Sequence, residues 1–497
     1  MRETELNPEQ SGRTHLRSYS LASFVAASLL AVAGCTVGPD FKKPDPGITG
    51  GWAEPLGSSY ATTRPTQFNG PEADLAEWWK RFNDPGLNAM VERAIEANLD
   101  VRRATSAVRQ SRASRSIAAA DLLPQADASG GYSRSGSPRT ETRGLYRAGL
   151  DASWEIDVFG GLRRSIEAAD ANFRASIENR RDVLITVVSE VAVNYVNLRG
   201  LQRQLEIARG NLVLQQRNAE LVRALFNDGN GFNSRLDVAN ADASVASTAS
   251  QIPSIETEAR QTIYALSVLL DRSPAELVPE LSVHSALPVA PIEVPLGLPS
   301  DLIERRPDIR RAEQELHAAT AQIGVAKSQL FPRFSLTGSF GYQNGKPANL
   351  FEYASSAWSV GGGITQPLFD AGRIFNNITV QTESQQQSIL AYRQVVLTAL
   401  QDVESSLVAY VKEYERRAAL ADAVSANKQA LDMATQLYRI GQTDFLNVLS
   451  AQQALFGSEN ALVQSDRTTV TNLIALYKAL GGGWQANSPM SDAEMSR

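Results

Sequence analysis

The chain has 497 residues, a formal net charge of -6, 43% apolar and 21% charged residues. Its acidic balance excludes a nucleic-acid binder, which needs a basic face. The single cysteine, Cys35, excludes an intrachain disulfide, and the three histidines, His15, His284 and His317, are too scattered to form a metal cluster.

Arg13, His15 and Arg17 precede an apolar run from Leu21 to Ala33. That run is shorter than the roughly 20 residues of a membrane-spanning helix and has the length of a signal-peptide core. It ends in Val32-Ala33-Gly34-Cys35, which looks like a bacterial lipobox. Residues 1–34 are then a lipoprotein signal peptide, and Cys35 carries a covalent lipid as the first mature residue. A plain secretory signal with an incidental cysteine is the competing reading. Residues 35–75 read as an extended arm, because Thr36 to Gln67 is rich in Gly, Pro, Ser and Thr and has no period.

Trp78-Trp79-Lys80-Arg81-Phe82 is closed by Asn83-Asp84-Pro85-Gly86, a helix start with a cap residue and a proline in the first turn. The tryptophan pair reads as packing rather than as a ligand platform. A helical pattern follows from Leu87 to Leu122, broken at Asn98-Leu99-Asp100 and ended by Pro124. The period then changes to 2. Tyr146, Ala148, Leu150, Ala152, Trp154 and Ile156 alternate with Arg147, Gly149, Asp151, Ser153 and Glu155. Gln125 to Tyr132 is a weaker partner strand, and Ser133 to Gly144 reads as a polar loop. A half-buried soluble strand and a strand of a membrane barrel both give this alternation.

From Leu162 to Phe226 there is no proline, and apolar residues step by four and three through Leu184, Val188, Val191, Tyr195, Leu198, Leu205 and Leu212. That is a coiled-coil seam on a helix roughly 100 Å long. A rod of this length must bury its seam against similar rods. A turn at Asn227 to Ser234 leads to a return helix ending at Leu270. The proline-rich stretch Pro274 to Pro299 reads as a linker, placed at 281–300. Ser300-Asp301 opens a helix running to about Leu330.

The pattern then repeats after about 210 residues. Phe334, Leu336, Gly338, Phe340 and Tyr342 form one alternating strand; Trp358, Val360, Gly362 and Ile364 form another. Phe369-Asp370-Ala371-Gly372-Arg373 mirrors Phe159-Gly160-Gly161-Leu162-Arg163. A second proline-free rod, Ile374 to Ile440, carries the seam Val396, Leu400, Val403, Leu407, Tyr410 and Tyr414. Its return helix starts near Asp444 and stops at Gly481-Gly482-Gly483. The two repeats span 76–280 and 301–484, with a flexible tail at 485–497. Four amphipathic strands cannot close a barrel, and open edges are not tolerated in lipid. Strands of several chains must therefore pool. A cyclic homotrimer closes twelve, an even number in the usual range.

Five stretches carry a family resemblance. They are Trp78-Trp79-Lys80-Arg81-Phe82-Asn83-Asp84-Pro85, the segment from Leu298-Pro299-Ser300-Asp301 through Arg305-Arg306-Pro307-Asp308-Ile309, Ala321-Gln322-Ile323-Gly324-Val325-Ala326, Gln366-Pro367-Leu368-Phe369-Asp370-Ala371-Gly372-Arg373, and Leu476-Tyr477-Lys478-Ala479-Leu480-Gly481-Gly482-Gly483-Trp484. Together they resemble the outer-membrane efflux proteins, the TolC-type exit ducts, and within them the NodT-like lipoprotein branch of resistance-nodulation-division systems. The resemblance implies a mainly α fold with a small membrane β part: a trimeric twelve-stranded outer-membrane barrel, four strands per chain, continued by a helical periplasmic tunnel. It implies an outer-membrane location, a periplasmic adaptor and an inner-membrane resistance-nodulation-division pump as partners, and small-molecule efflux. An exit duct of a type I protein secretion system is the alternative.

A duct does no chemistry. No nucleophile-base-acid constellation stands out against that reading, and no cofactor is expected beyond the lipid on Cys35. A lipid-anchored coiled-coil scaffold without a pore and a periplasmic hydrolase are the readings from other classes. Arg305-Arg306-Pro307-Asp308 reads as a helix start with solvated charges, and His317 as an ordinary partly exposed side chain. In the resembled family, closure of the periplasmic tip uses aspartates with tyrosine and arginine partners. Carried over, the tyrosine is Tyr438, whereas the aspartate positions hold Asn447 and Ser450 and the arginine position holds Thr443. Asp237 matches a family aspartate, with Arg235 and Asp444 close in sequence. These residues are the expected gate, held by mixed hydrogen bonds, unless Asp237 merely caps its helix. The turns at Gly229, Gly231 and Ser234 and at Gly441 and Thr443 are the expected adaptor-docking tips, where glycine lets the chain reverse.

Overall fold

Asp84 opens the first long regular element. Its carboxylate accepts hydrogen bonds from the backbone N–H of Gly86 at 2.8 Å and of Leu87 at 3.0 Å, and Pro85 fills the first helical position. The computed structural model describes residues 36–45, 66–67, 73–138, 140–228, 234–291, 293–294, 302 and 304–485. Helix α1 is Pro85–Ala97; Asn98 ends it and recaps the chain through Asp100 N at 2.8 Å, so α2 runs Leu99–Ala120. There follow β1 (Gln125–Ser137), β2 (Thr140–Ile156), α3 (Gly161–Asn227) and α4 (Arg235–Leu269). The second half supplies α5 (Pro307–Ser328), β3 (Arg333–Asn344), β4 (Ser356–Thr365), α6 (Arg373–Arg439) and α7 (Phe445–Ala479).

The halves match in length. Helices α2 and α5 have 22 residues each, α3 and α6 have 67, and α4 and α7 have 35. At 1.5 Å per residue each long helix is about 100 Å, as the uninterrupted seam implies. The corner before the long helix is shifted from what the motif suggests. Gly160 and Gly372, at φ 77° and 82°, each precede a long helix, so Phe369 is not the counterpart of Phe159. The second corner is longer, and the motif match slid across it.

The chain divides into two compact units, each drawing on both halves. One comprises Met1–Asp45, Val108–Ser176 and Ala312–Tyr392. It holds a four-stranded antiparallel sheet in the order β1-β2-β3-β4. Strand β1 continues to Ser137 and β2 begins at Thr140, so most of the expected loop Ser133 to Gly144 is paired hairpin instead. Apolar alternation marks only the part of a strand whose one face is apolar; the polar end pairs through its backbone without that trace. Residues 36–45 contain no helix or strand and lie on the helices of this unit. Val37 N donates to Phe159 O at 3.1 Å, and Gly38 crosses Gly324 so closely that a Cβ there would sit 2.5 Å from the Gly324 Cα.

The other unit comprises Pro46–Ala107, Ile177–Arg311 and Arg393–Arg497. Its main core gathers Trp78, Trp79 and Phe82 with Leu87 and Val91 of α1, Leu184 to Leu198 of α3, Val403 to Tyr410 of α6, Leu473 to Ala479 of α7 and the following Leu480. The tryptophan pair is packing: both rings are fully buried, and Trp78 stacks on Tyr477 at 5.3 Å. Gly483 lies against Trp78, where a Cβ would fall 3.1 Å from the indole nitrogen. The first seam holds through Leu198. Beyond it Leu205 and Leu212 are only half-buried, and Ala208, Asn211, Gln215, Ala219 and Val222 take the inner positions.

The stretch read as a linker contains a helical turn, Val278–Leu281, and a short strand, Glu293–Val294, that pairs in parallel with Thr66–Gln67 of the arm. One expectation is corrected here. The helix expected from Ser300-Asp301 to about Leu330 is interrupted: residues 302, 304 and 305 are helical, the chain breaks at Arg306, and the long element is Pro307–Ser328, while Ser300 and Asp301 lie outside the described residues. Proline at the first turn and the buried side chain of Arg306 set that boundary.

Candidate functional site

The sheet sorts its residues by face, strand after strand. Along the even-numbered positions, Ala126, Ala128, Gly130 and Tyr132 of β1 face Ala152, Leu150, Ala148 and Tyr146 of β2. These face Gly338, Phe340, Tyr342 and Asn344 of β3, and Phe334, Leu336, Gly338 and Phe340 face Ile364, Gly362, Val360 and Trp358 of β4. One face is therefore apolar across all three ladders. It is not covered within the chain: Leu150, Phe340, Trp358, Val360 and Ile364 are all exposed. The opposite face is polar. Asp127 stands opposite Asp151, which accepts from Ser129 Oγ at 2.8 Å, and Ser339 and Ser359 join at 2.9 Å.

Aromatic rings bracket the apolar face. Near the hairpin tips Tyr132 lies 4.6 Å from Tyr146, and Tyr342 lies 5.6 Å from Phe351. Toward the helices stand Trp154, whose indole N–H donates to Leu122 O at 2.9 Å, and Phe159, stacked on Phe331 at 4.5 Å. From Tyr146 to Trp154 the strand rises about 27 Å, or about 20 Å along the normal at the usual barrel tilt. Such a band with aromatic rims matches the lipid-facing surface of an outer-membrane strand, about 25 Å tall.

Below the sheet, a network ties the arm to the first turn of α3. The Arg164 guanidinium donates to Asp40 Oδ1 at 2.6 Å, to Val37 O at 3.2 Å and to Glu167 Oε2 at 2.7 Å. Glu167 also meets His317 Nε2 at 2.9 Å, and Phe41 stacks on the His317 ring at 4.4 Å. His317 is thus a built contact of the arm. Sequence reasoning misses Arg164, because its partners on the arm, Val37 and Asp40, lie 127 and 124 positions away.

In the other unit, Arg306 is buried, which corrects its reading as a solvated charge. Its guanidinium donates to Ala479 O at 2.8 Å, to both oxygens of Asp308 and to Asp402 Oδ2 at 3.2 Å. Two of the five motifs meet here. A cleft beside Arg306 is lined by Asp182, Asp308, Asp402 and Lys478. Burial and then the Asp308 charge raise the Asp182 carboxyl above the ordinary range, against Arg311, Arg306 and Lys478.

The helix tips hold the expected gate residues. Asp237 closes a capping box: Ser234 Oγ donates to its carboxylate at 2.8 Å, and Ser234 N does so at 2.8 Å. Arg235 is exposed. In the second tip Tyr438 is buried against Phe445 at 5.7 Å, within a small cluster that includes Ala219, Val222 and Val448. Asn447 donates to Thr443 Oγ1 at 2.7 Å, Asp444 precedes α7 without a side-chain cap bond, and Ser450 is exposed. Gly441 turns the chain at φ 74°. Each tip presents an exposed leucine at the same step of its return helix, Leu236 and Leu446. Cys35, Gly229 and Gly231 lie outside the described residues, as do residues 1–34.

Among the described residues no helix is long and apolar enough to cross a membrane, and no three His, Cys, Asp or Glu side chains gather to hold a metal ion. Comparison with known proteins agrees with the architecture. Nodulation protein T of Rhizobium leguminosarum bv. trifolii is 30% identical over 460 residues, 92% of this chain and 96% of that protein. The toluene efflux pump outer membrane protein TtgF of Pseudomonas putida is 31% identical over 490 residues, 95% of this chain and 97% of that protein. The outer-membrane channel OprN superposes with a TM-score of 0.82 at 34% identity, covering 91% of this chain and all of that one. The sequence profile of outer membrane efflux proteins matches residues 90–271 and 298–482, and the chain belongs to that family.

Proposed function

We propose that this chain is the outer-membrane exit duct of a tripartite efflux pump. Three copies pool their sheets into one twelve-stranded barrel, and their long helices form the periplasmic tunnel. A periplasmic adaptor and an inner-membrane resistance-nodulation-division pump engage the helix tips and deliver small molecules, which pass down their own gradient. The chain performs no reaction itself. One observation carries this reading: a sheet apolar on one whole face and polar on the other, with both outer edges unpaired among the described residues, on a chain with two 67-residue helices. An apolar face this wide needs lipid, and free edges in lipid need partner strands.

Further assignments rest on this frame. The described part of the arm begins with Thr36 against Gly160, at the corner between β2 and α3, and the lipid is assigned to the preceding Cys35. The gate is the ring of tip residues Asp237, Arg235, Tyr438, Asp444, Asn447 and Ser450. The docking tips are Gly229, Gly231, Ser234, Gly441 and Thr443. Threefold symmetry brings three copies of each near one axis. The reading is tested by reconstituting purified protein into planar bilayers. Discrete ionic steps are expected, together with raised intracellular drug accumulation when the chain is deleted beside an intact pump. Folded trimers that conduct nothing would overturn it.

A further inference from the structure

The charges of the sheet are sorted by face, with one exception. Asp127, Arg143, Arg147, Asp151, Glu155 and Arg333 stand at odd-numbered positions, on the polar face. Among the described even-numbered strand positions, which form the apolar face, Arg134 is the single charged residue. It lies two residues beyond Tyr132, hence about 7 Å further along β1, on the hairpin-tip side of the Tyr132–Tyr146 pair. A guanidinium in an apolar row is costly within hydrocarbon. Aromatic belts mark the headgroup level, and there a long basic side chain meets lipid phosphate instead.

The neighbours of Arg134 in its row shape a notch. Arg134 pairs with Gly144 of β2. The β2–β3 ladder ends with Tyr146 opposite Asn344, so its next step on this face sets Gly144 beside Lys346. The chain keeps to that course: Lys346 is extended, at φ -120° and ψ 129°, and a Cβ on Gly345 would sit 3.4 Å from Gly144 O. Arg134 and Lys346 therefore flank a glycine, with two strand spacings, about 9.5 Å, between their backbones. A tyrosine ring floors the gap. A Cβ on Gly144 would lie 3.0 Å from Tyr132 Cε2 and 3.1 Å from the Tyr132 hydroxyl oxygen, so that ring leans toward the row of the two cations. Arg134 and Lys346 are both exposed, and among the described residues neither side chain has a hydrogen-bond or ion-pair partner.

We propose that Arg134, Lys346 and the Tyr132 hydroxyl bind a phosphate group of an outer-leaflet lipid. Arg134 supplies a fork for two phosphate oxygens, Lys346 a point charge and Tyr132 one further donor. The notch opens on the lipid-facing side of the sheet and not on the polar side, so its ligand is a headgroup rather than an anion passing through the pore. A phosphomonoester, with nearly two negative charges at neutral pH, matches the two cations. This inference rests on the membrane-barrel reading above and adds a lipid held at the outer rim.

Native mass spectrometry of the purified protein in mild detergent tests it, by counting bound lipid as diphosphoryl lipid A is titrated in. Each basic residue at a membrane surface is worth about fivefold in affinity for anionic lipid. Arg134→Gln and Lys346→Gln are each expected to weaken binding about fivefold, and the double variant about thirtyfold. Arg147→Gln removes the same charge one step along β2 from Tyr146, on the polar face, and is expected to leave binding unchanged. Dephosphorylated lipid A probes the acyl chains alone and is expected to bind all variants equally. Inorganic phosphate probes a free anion and is expected not to displace the lipid. Equal binding of diphosphoryl lipid A by the unaltered protein and the double variant overturns the site. An equal loss from Arg147→Gln overturns it too, since net charge alone is then read. Displacement by inorganic phosphate at the lipid's own concentration overturns the lipid as ligand. The same spectra give the oligomer mass. A trimer without phosphate-dependent lipid overturns the site and spares the duct, whereas a monomer without bound lipid overturns both.

Discussion

The Tyr195 hydroxyl, midway along the 67-residue α3, donates to the carboxylate of Asp84, at 3.0 Å to Oδ1 and 3.2 Å to Oδ2. The same carboxylate caps α1. One acid thus fixes the entry of the first helix and the rotation of the long one. Gly86 is the residue that permits the approach, because a Cβ there would lie 2.4 Å from the Tyr195 hydroxyl oxygen. Tyr195→Phe is expected to cost about 1–2 kcal/mol, since the ring stays buried and only a charge-assisted bond is lost. Urea unfolding of the solubilised protein measures it. An unchanged midpoint would show that the bond contributes nothing.

Arg306 holds three groups at once. Removing it takes the donor from the Ala479 carbonyl, at the end of α7, and leaves the Asp308 carboxylate with the Ile309 N–H, at 2.9 Å, in place of the guanidinium fork. Arg306→Ala is expected to destabilise by about 3 kcal/mol. Arg306→Lys is expected to recover less than half of that, because a point charge cannot reproduce the fork. Full recovery by lysine would mean that charge alone matters.

Asp182 gives the sign of one pH effect. Its folded carboxyl binds a proton more tightly than the unfolded one, so its contribution favours folding below about pH 4 and is lost as the pH rises through the folded value. At neutral pH the charged form opposes folding. Asp182→Asn is therefore expected to raise the unfolding midpoint at pH 7.5 and to lose that advantage as the medium is acidified toward pH 4. A destabilised variant at pH 7.5 would show that the contact with Arg311, 3.6 Å away, outweighs burial.

The second tip places the amide of Asn447 and the hydroxyl of Ser450 where the resembled pattern has carboxylates. Asn447→Asp with Ser450→Asp would set six carboxylates around the axis of a trimer. Cation selectivity, read as the reversal potential across a salt gradient, is expected to rise several-fold. No change would place these residues away from the conducting path.

Cys35→Ser should abolish metabolic labelling with palmitate while leaving the sheet intact. Persistent label would assign the lipid to another position.

Periodicity in the sequence carried the long helices, because a seam buried every three or four residues leaves little freedom in how Leu184 to Leu198 are used. The strands were equally legible where one face is uniformly apolar. Beyond Tyr132 the polar hairpin end reads as loop, since backbone pairing alone leaves no periodic trace. The burial of Arg306 has no local mark, because its guanidinium depends on a carbonyl and a carboxylate more than 90 positions away. The capping box at Ser234 and Asp237 was visible in outline, as the alternative role for Asp237. The tie from Arg164 to the arm joins residues 124 apart and has no local signature.

The matching counts of 22, 67 and 35 residues limit how such a protein can change. One residue inserted into α3 alone would rotate everything after it by about 100° against its neighbours. Whole heptads added to a single half would keep each stripe inward yet set its two hairpins at unequal reach. Gene variants that lengthen or shorten the rods should therefore carry paired indels of seven or eleven residues, one in each half and the same again in each return helix.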